Sequence, residues 1–254
     1  MGDSLGNNGR LGRAGAVRSS GAGRAAAAIS VSALVVLGLI AAAVIPGVQD
    51  RSAAADDLTR QALVGTRSLT CQRVVVLLDQ SGSMTQFAQV RTDAMTTLAA
   101  WAPENLRSND QVAVVRWAAR SETDLAATSI DSLDSAALTP GTSDLGAETE
   151  DVLLAVEQVQ AMRPSSCHTA LVFISDGELT TEVDPDELNR VLVDIGADQV
   201  SLLLPTSSTA PEYWMQLFPY SLTFHADPNN ANQTARALGQ AIGSATGQEL
   251  VVQR

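Results

Sequence analysis

Three short segments bring oxygen-bearing side chains together at spacings that suit a hard cation. They are Asp79-Gln80-Ser81-Gly82-Ser83, Gly141-Thr142-Ser143-Asp144 and Asp176-Gly177-Glu178. Carboxylates and hydroxyls are the ligands such a cation takes, and Mg²⁺ demands a near-octahedral set at about 2.1 Å. Ser81 and Ser83 flank a glycine, so a tight turn can aim both hydroxyls the same way. Taken singly these residues have plainer readings. Either serine can cap a following helix, and Asp79 can close a strand in a turn. As a set they read as a cation site.

The elements that position them follow from hydrophobic patterning. Residues 73–78 (RVVVLL) form a β-branched run fit for a strand buried on both faces, and it stops at Asp79. Residues 170–175 (ALVFIS) do the same just before Asp176. Residues 84–101 have helical spacing, with Phe87, Val90, Ala94, Leu98 and Trp101 on one face. A strand is expected at 111–117 and a short one at 122–126. A helix is expected over 145–162, with Val152, Val156 and Val159 as its stripe and 141–144 as the loop before it. Asp184-Pro185 opens a helix over 185–195, strands follow at 200–204 and 221–225, and 231–244 closes as a helix. This alternation predicts an α/β fold: a doubly wound, mostly parallel six-stranded sheet with helices on both faces. Ligands of such sheets bind at the carboxyl ends of strands, where the first and third segments fall.

DQSGSM after an apolar strand, the GTSDLG segment, and FISDGE after another strand resemble the metal-ion-dependent adhesion site of von Willebrand factor type A domains. The resemblance covers about residues 71–247. It implies that Ser81 and Ser83 ligate a divalent cation directly, while Asp79 and Asp176 hold coordinated water and balance charge. A third hydroxyl is implied from the middle segment. The family commonly has Gly-Gly-Thr-Asp-Leu there, whereas this chain has Gly141-Thr142-Ser143-Asp144-Leu145. Alignment on Asp-Leu-Gly selects Ser143 and alignment on the threonine selects Thr142, with Thr149 a poorer candidate. Mg²⁺ is the first expectation for the cation, with Mn²⁺ or Ca²⁺ as alternatives.

Cys71 and Cys167 stand just before the strands whose far ends carry Asp79 and Asp176. In the family these strands are parallel neighbours, about 4.8 Å apart, within the Cα separation a disulfide needs. The resemblance therefore implies a Cys71–Cys167 disulfide and an oxidising compartment. His168, His225, Trp101, Trp117 and Trp214 read as structural residues.

The bulk properties narrow the remaining choices. Net charge is −12, and all 16 basic residues are Arg. Four of them lie in residues 1–24, leaving 12 Arg against 26 acids from residue 51 onward. Such a balance, without a basic stripe, excludes nucleic acid as a partner. Residues 25–48 carry no charge and are long enough for a transmembrane helix. The arginines before them place residues 1–24 in the cytoplasm and the remainder outside. A cleavable signal peptide ending near Ala53-Ala54-Ala55 is the rival reading, and it exports the same domain. The organisation is then a disordered cytoplasmic tail (1–24), a membrane anchor (25–48), a stalk (49–70) and the von Willebrand type A domain (71–254).

No phosphate loop, nucleophile elbow or HExxH motif occurs, which removes nucleotide binding and the commonest hydrolases. An enzyme using Asp79 or Ser81 as nucleophile would need a base or an Arg clamp that the three segments lack. The expected function is a non-enzymatic, membrane-anchored extracytoplasmic binding module. Its cation would dock a Glu or Asp of a partner protein. The alternative is a structural scaffold of a membrane complex whose metal site is not functional.

Overall fold

The computed structural model describes residues 57–134 and 138–253. The expected cytoplasmic tail and membrane anchor lie outside the described residues. Among the described residues no helix is long and apolar enough to cross a membrane.

Strand β2 (Gln72–Asp79) is the centre of the sheet, and all eight of its residues are buried. Its alternation divides the core. Val74, Val76 and Leu78 face a layer that includes Met95, Leu98, Trp101, Leu238 and Ile242. Val75 and Leu77 face the other, with Val156, Val159, Leu188 and Trp214. Period-2 side chains of one strand thus serve two layers, each apolar side chain contributing about 1.5–3 kcal/mol on burial.

β3 (Gln111–Trp117) and β5 (His168–Ile174) flank β2, both parallel to it. β6 (Ala197–Pro205) and β7 (Leu222–Ala226) extend the parallel sheet beyond β5. β4 (Ser121–Ser129) pairs antiparallel with β3, so the order is β4-β3-β2-β5-β6-β7. This is the six-stranded, mostly parallel sheet expected from the sequence. β4 runs longer than the expected 122–126, with two register shifts along its pairing. Helices α1 (Ala88–Asn105) and α5 (Ala231–Thr246) supply one layer. Helices α2 (Val152–Gln160), α3 (Pro185–Asp194) and α4 (Glu212–Leu217) supply the other.

Two expected boundaries are corrected. The helix expected over 145–162 begins only at Val152, because Asp151 caps it, accepting from the amides of Leu153 and Leu154 at 3.0 and 3.3 Å. Residues 145–151 are instead an extended loop over the sheet end. The segment expected as stalk contains folded structure. Leu58 is fully buried, and β1 (Gln61–Val64) pairs antiparallel with β8 (Glu249–Val252). The Trp101 indole N–H donates to the Gln61 carbonyl at 2.8 Å and fastens this small ladder to α1.

The expected disulfide is present. Cys71 and Cys167 are bonded with a Cα–Cα distance of 4.7 Å, and the His168 amide donates to the Cys71 carbonyl at 3.0 Å. His168 itself is exposed and pairs with Asp198 at this end of the sheet, opposite the strand ends that carry Asp79 and Asp176.

Candidate metal centre

The parallel register of β2 and β5, Gln72 opposite His168 through Leu78 opposite Ile174, brings Asp79 level with Ser175. Asp79 is fully buried. One carboxylate oxygen accepts from the Ser81 amide at 2.7 Å and the other from the Ser175 hydroxyl at 2.7 Å. Ser175 in turn accepts from the Gly177 amide at 2.9 Å. Gly177 is required here twice over. Its φ is +78°, and a Cβ would lie 2.9 Å from the Pro211 ring. Asp176 sits between these anchors, half-buried, accepting from the Glu178 amide at 3.1 Å.

The Ser81 and Ser83 hydroxyls lie 3.1 Å apart, so the turn does aim both the same way. Gly82 N–H donates to the Ala147 carbonyl at 2.8 Å, which draws the 145–151 loop over this turn. That loop carries the residue the sequence reading missed. Glu150 is buried, and one oxygen from each of Asp79, Glu150 and Asp176 lies within 4.8 Å of the others. Its backbone is fixed from both sides: its amide donates to the Thr180 hydroxyl at 2.7 Å, and its carbonyl accepts from the Thr181 amide at 3.2 Å. Its side chain meets the Ser81 hydroxyl, yet its Oε2 is buried without a hydrogen-bond partner among the described residues.

Electrostatics follow from this crowding. Burial raises the Glu150 carboxyl to about 7, helped by the charges of Asp79 and Asp176. Burial also raises Asp79, although the hydroxyl of Ser175 and the amide and hydroxyl of Ser81 oppose it. A buried counter-charge is Arg91 of α1, whose guanidinium donates to the Asp79 carbonyl. Its Nε and Nη2 have no partner among the described residues, and burial lowers its pKa to about 10 while Asp79 raises it. It remains a cation at neutral pH.

Thr142 and Ser143, the expected sources of the third hydroxyl, are both exposed, and the Ser143 hydroxyl is engaged outside the carboxylate cluster. The Ser143 hydroxyl accepts from Arg116 at 2.7 Å and bonds to Glu122, and its carbonyl accepts from Arg116 at 3.0 Å. Arg116 is buried and also bonds Asp124 at 2.7 Å, whose carboxylate accepts from the Gly141 amide at 2.8 Å. The Gly141-Thr142-Ser143 segment is thus a clasp over Arg116. Thr142 lines a cleft of about 270 Å³ with Gln80, Gln89 and Arg91. Thr149, half-buried, precedes Glu150 in the loop that does reach the centre.

Three carboxylates with one orphaned oxygen and a pair of hydroxyls form a donor set of hard oxygens. Such a set fits a divalent cation, which would neutralise the mutual repulsion and occupy the unpartnered Oε2. Asp79, Glu150 and Asp176 would hold it, with Ser81 and Ser83 beside them.

No protein-family model matches the chain, and no curated protein sequence does. Solved structures do. Proximal thread matrix protein 1 of the mussel byssus, in a structure with a zinc-occupied MIDAS motif, is 12% identical with a TM-score of 0.52. That match covers 70% of this chain and 50% of the other. The pilus adhesin SpaC of Lactobacillus rhamnosus GG is 14% identical with a TM-score of 0.51, covering 71% and 31%. A von Willebrand factor type A protein of Catenulispora acidiphila is 17% identical with a TM-score of 0.48, covering 68% and 43%. This chain therefore spans half or less of the length of each. At these identities the likeness is one of fold. The chain shares its fold with the thread matrix protein and the adhesin, and its six-stranded, mostly parallel sheet is the one that the von Willebrand factor type A resemblance implied.

Proposed function

We propose that this protein is a binding module in which a divalent cation, held by Asp79, Glu150 and Asp176 with Ser81 and Ser83, docks a carboxylate of a partner protein. The observation that carries this reading is the buried, unpartnered Glu150 Oε2 within a three-carboxylate cluster at the end of two parallel strands. A cation supplies the charge the cluster lacks and leaves a coordination position for an outside oxygen. Mg²⁺ is the first choice for an all-oxygen set, with Mn²⁺ and Ca²⁺ as alternatives. The zinc in the thread matrix protein is a further reason to include Zn²⁺ among the cations tried. The reading is non-enzymatic, because it commits the carboxylates of the centre, Glu150 included, to the cation, while Arg91 and Arg116 are buried. The uncharged run at 25–48 supports a membrane anchor with the folded domain outside the cell.

A second reading, a scaffold whose centre binds no metal, is favoured by one observation. The Ser143 hydroxyl is committed to Arg116 and Glu122 rather than to the centre. Calorimetric titration of the full chain with Mg²⁺, Mn²⁺, Ca²⁺ and Zn²⁺, beside Asp79→Ala, separates the two. One saturable site, lost in the variant, supports the binding module. Absence of heat together with no thermal shift at about 10 mM cation, far above most binding-site constants for oxygen-ligated cations, supports the scaffold.

A further inference from the structure

We infer that the partner segment for this centre is a single carboxylate set between arginine or lysine residues, an inference that rests on the cation-mediated reading above. Two features carry it: the charge of the centre and the charge of its rim. A divalent cation among Asp79, Glu150 and Asp176 meets three carboxylates, so the filled centre is not positive. The partner's carboxylate is a fourth. Ligation attracts it, but the net field does not.

The rim opposes it further. Glu148 is exposed, and its neighbour Ala147 is bonded to Gly82 at 2.8 Å, beside the Ser81–Ser83 turn. Glu178 is exposed two residues past Asp176, near enough to act on the Glu150 carboxyl. Glu182 is exposed next to Thr181, whose amide donates to the Glu150 carbonyl at 3.2 Å. Arg91 and Arg116 are buried and cannot meet a partner's side chain in solvent. Arg120 is exposed, and its guanidinium donates to the Asp144 carbonyl at 2.6 Å. Like charges facing one another across an interface are strongly disfavoured, and opposite ones speed encounter and fix the partner. Basic residues on both sides of the docking carboxylate turn this rim from a barrier into an attraction. The orphaned Glu150 Oε2 is the independent sign that a ligand completes the centre at all.

The test uses the full chain with Mn²⁺ and three labelled hexapeptides, read by fluorescence anisotropy. They are Arg-Arg-Ala-Glu-Ala-Arg, Ser-Ser-Ala-Glu-Ala-Ser and Arg-Arg-Ala-Gln-Ala-Arg. The basic Glu peptide is expected to bind about tenfold or more tighter than the Ser-flanked one at low salt. That gap is expected to shrink to about threefold or less in Glu148→Gln/Glu178→Gln/Glu182→Gln, and likewise at about 0.5 M salt. The Gln peptide is expected to bind no better than background. Circular dichroism checks the triple variant, and Glu178→Gln alone serves if it unfolds. Calorimetry without peptide separates the two layers of the argument. If Mn²⁺ does not bind, the cation reading itself fails. If Mn²⁺ binds and the two Glu peptides do not differ, or the gap persists in the variant, this inference alone is overturned. Equal binding of the Gln peptide also overturns it, because the rim then acts as a plain polyanion.

Discussion

Ser175, the residue after β5, donates its hydroxyl to Asp79 of β2 at 2.7 Å, so a motif residue with no expected ligand role orients the most buried carboxylate of the centre. The bond spans two parallel strands whose starts are tied by Cys71–Cys167 and whose ends carry Asp79 and Asp176. Its removal is therefore a test of positioning rather than of ligation.

Ser175→Ala is expected to weaken cation binding about 10- to 100-fold, the usual effect of losing a partner that orients a ligand. The variant is also expected to lose about 1–2 kcal/mol of stability, since the Asp79 carboxylate is left short of a donor. Calorimetry and urea unfolding measure the two effects separately. Unchanged affinity would show that the amide and hydroxyl of Ser81 suffice to hold the carboxylate in place.

The pH dependence of the metal-free protein follows from Glu150. Its carboxyl is raised from the ordinary 4.5 to about 7 by burial first and the neighbouring carboxylates second. Between those values the folded state binds more protons than the unfolded chain, so stability falls as pH rises through this window and levels off above about 7. Asp79, also raised, adds in the same direction. Thermal unfolding in chelator is expected to show this decline, and Glu150→Gln is expected to flatten much of it. Saturating Mn²⁺ is expected to reverse the slope, because a cation requires the ionised carboxylate. A slope identical in Glu150→Gln would remove Glu150 as its source.

Ser143 and Glu150 are expected to part company under mutation. Ser143→Ala is expected to leave cation affinity within about twofold, while Glu150→Gln lowers it by about tenfold or more, as losing one charged oxygen ligand does. Gly141→Ala is expected to destabilise by about 1–3 kcal/mol through overpacking. A Cβ there would sit 2.5 Å from the Arg116 guanidinium and 2.9 Å from Asp124. Calorimetry and thermal unfolding of the three variants check these outcomes, and a large metal defect in Ser143→Ala would return that hydroxyl to the ligand set.

Cys71→Ser/Cys167→Ser is expected to cost up to about 4–5 kcal/mol in the chain-entropy account of a crosslink spanning 96 residues. Urea unfolding of the full chain with and without reductant measures it. Cation affinity in the folded variant is expected to stay within about threefold, since the seven registered pairs between β2 and β5 still align the strand ends.

How much of this was legible in the sequence depended on range. The apolar run of β2 and its stop at Asp79 are local, and so is the helix signature at Asp184-Pro185; each reads directly. The paired cysteines are legible only through the family resemblance, which makes the strands after them parallel neighbours. Glu150 is not. It carries no periodicity or motif, and it joins the centre through bonds to Thr180 and Thr181, about thirty residues away. The same holds for Ser143, whose hydroxyl pairs with Arg116 across 27 residues. The misplaced start of α2 has the same root. Asp144 and Asp151 are equally good caps by type, and only the packing of the 145–151 loop on Gly82 and Ala118 decides between them.

The β1–β8 ladder has a mechanical consequence. It joins residues 61–64 to residues 249–252 and is pinned at the carboxyl end of α1 through Trp101 and Asn105. The candidate centre lies at the other end of that 18-residue helix, about 27 Å away along its axis. A partner tugging at the centre, against a tether on the residues before β1, would load this four-pair ladder before any strand of the main sheet. Under the proposed reading the ladder would act as a fuse: it would peel and lengthen the tether before the crosslinked sheet that carries the proposed cation site is loaded.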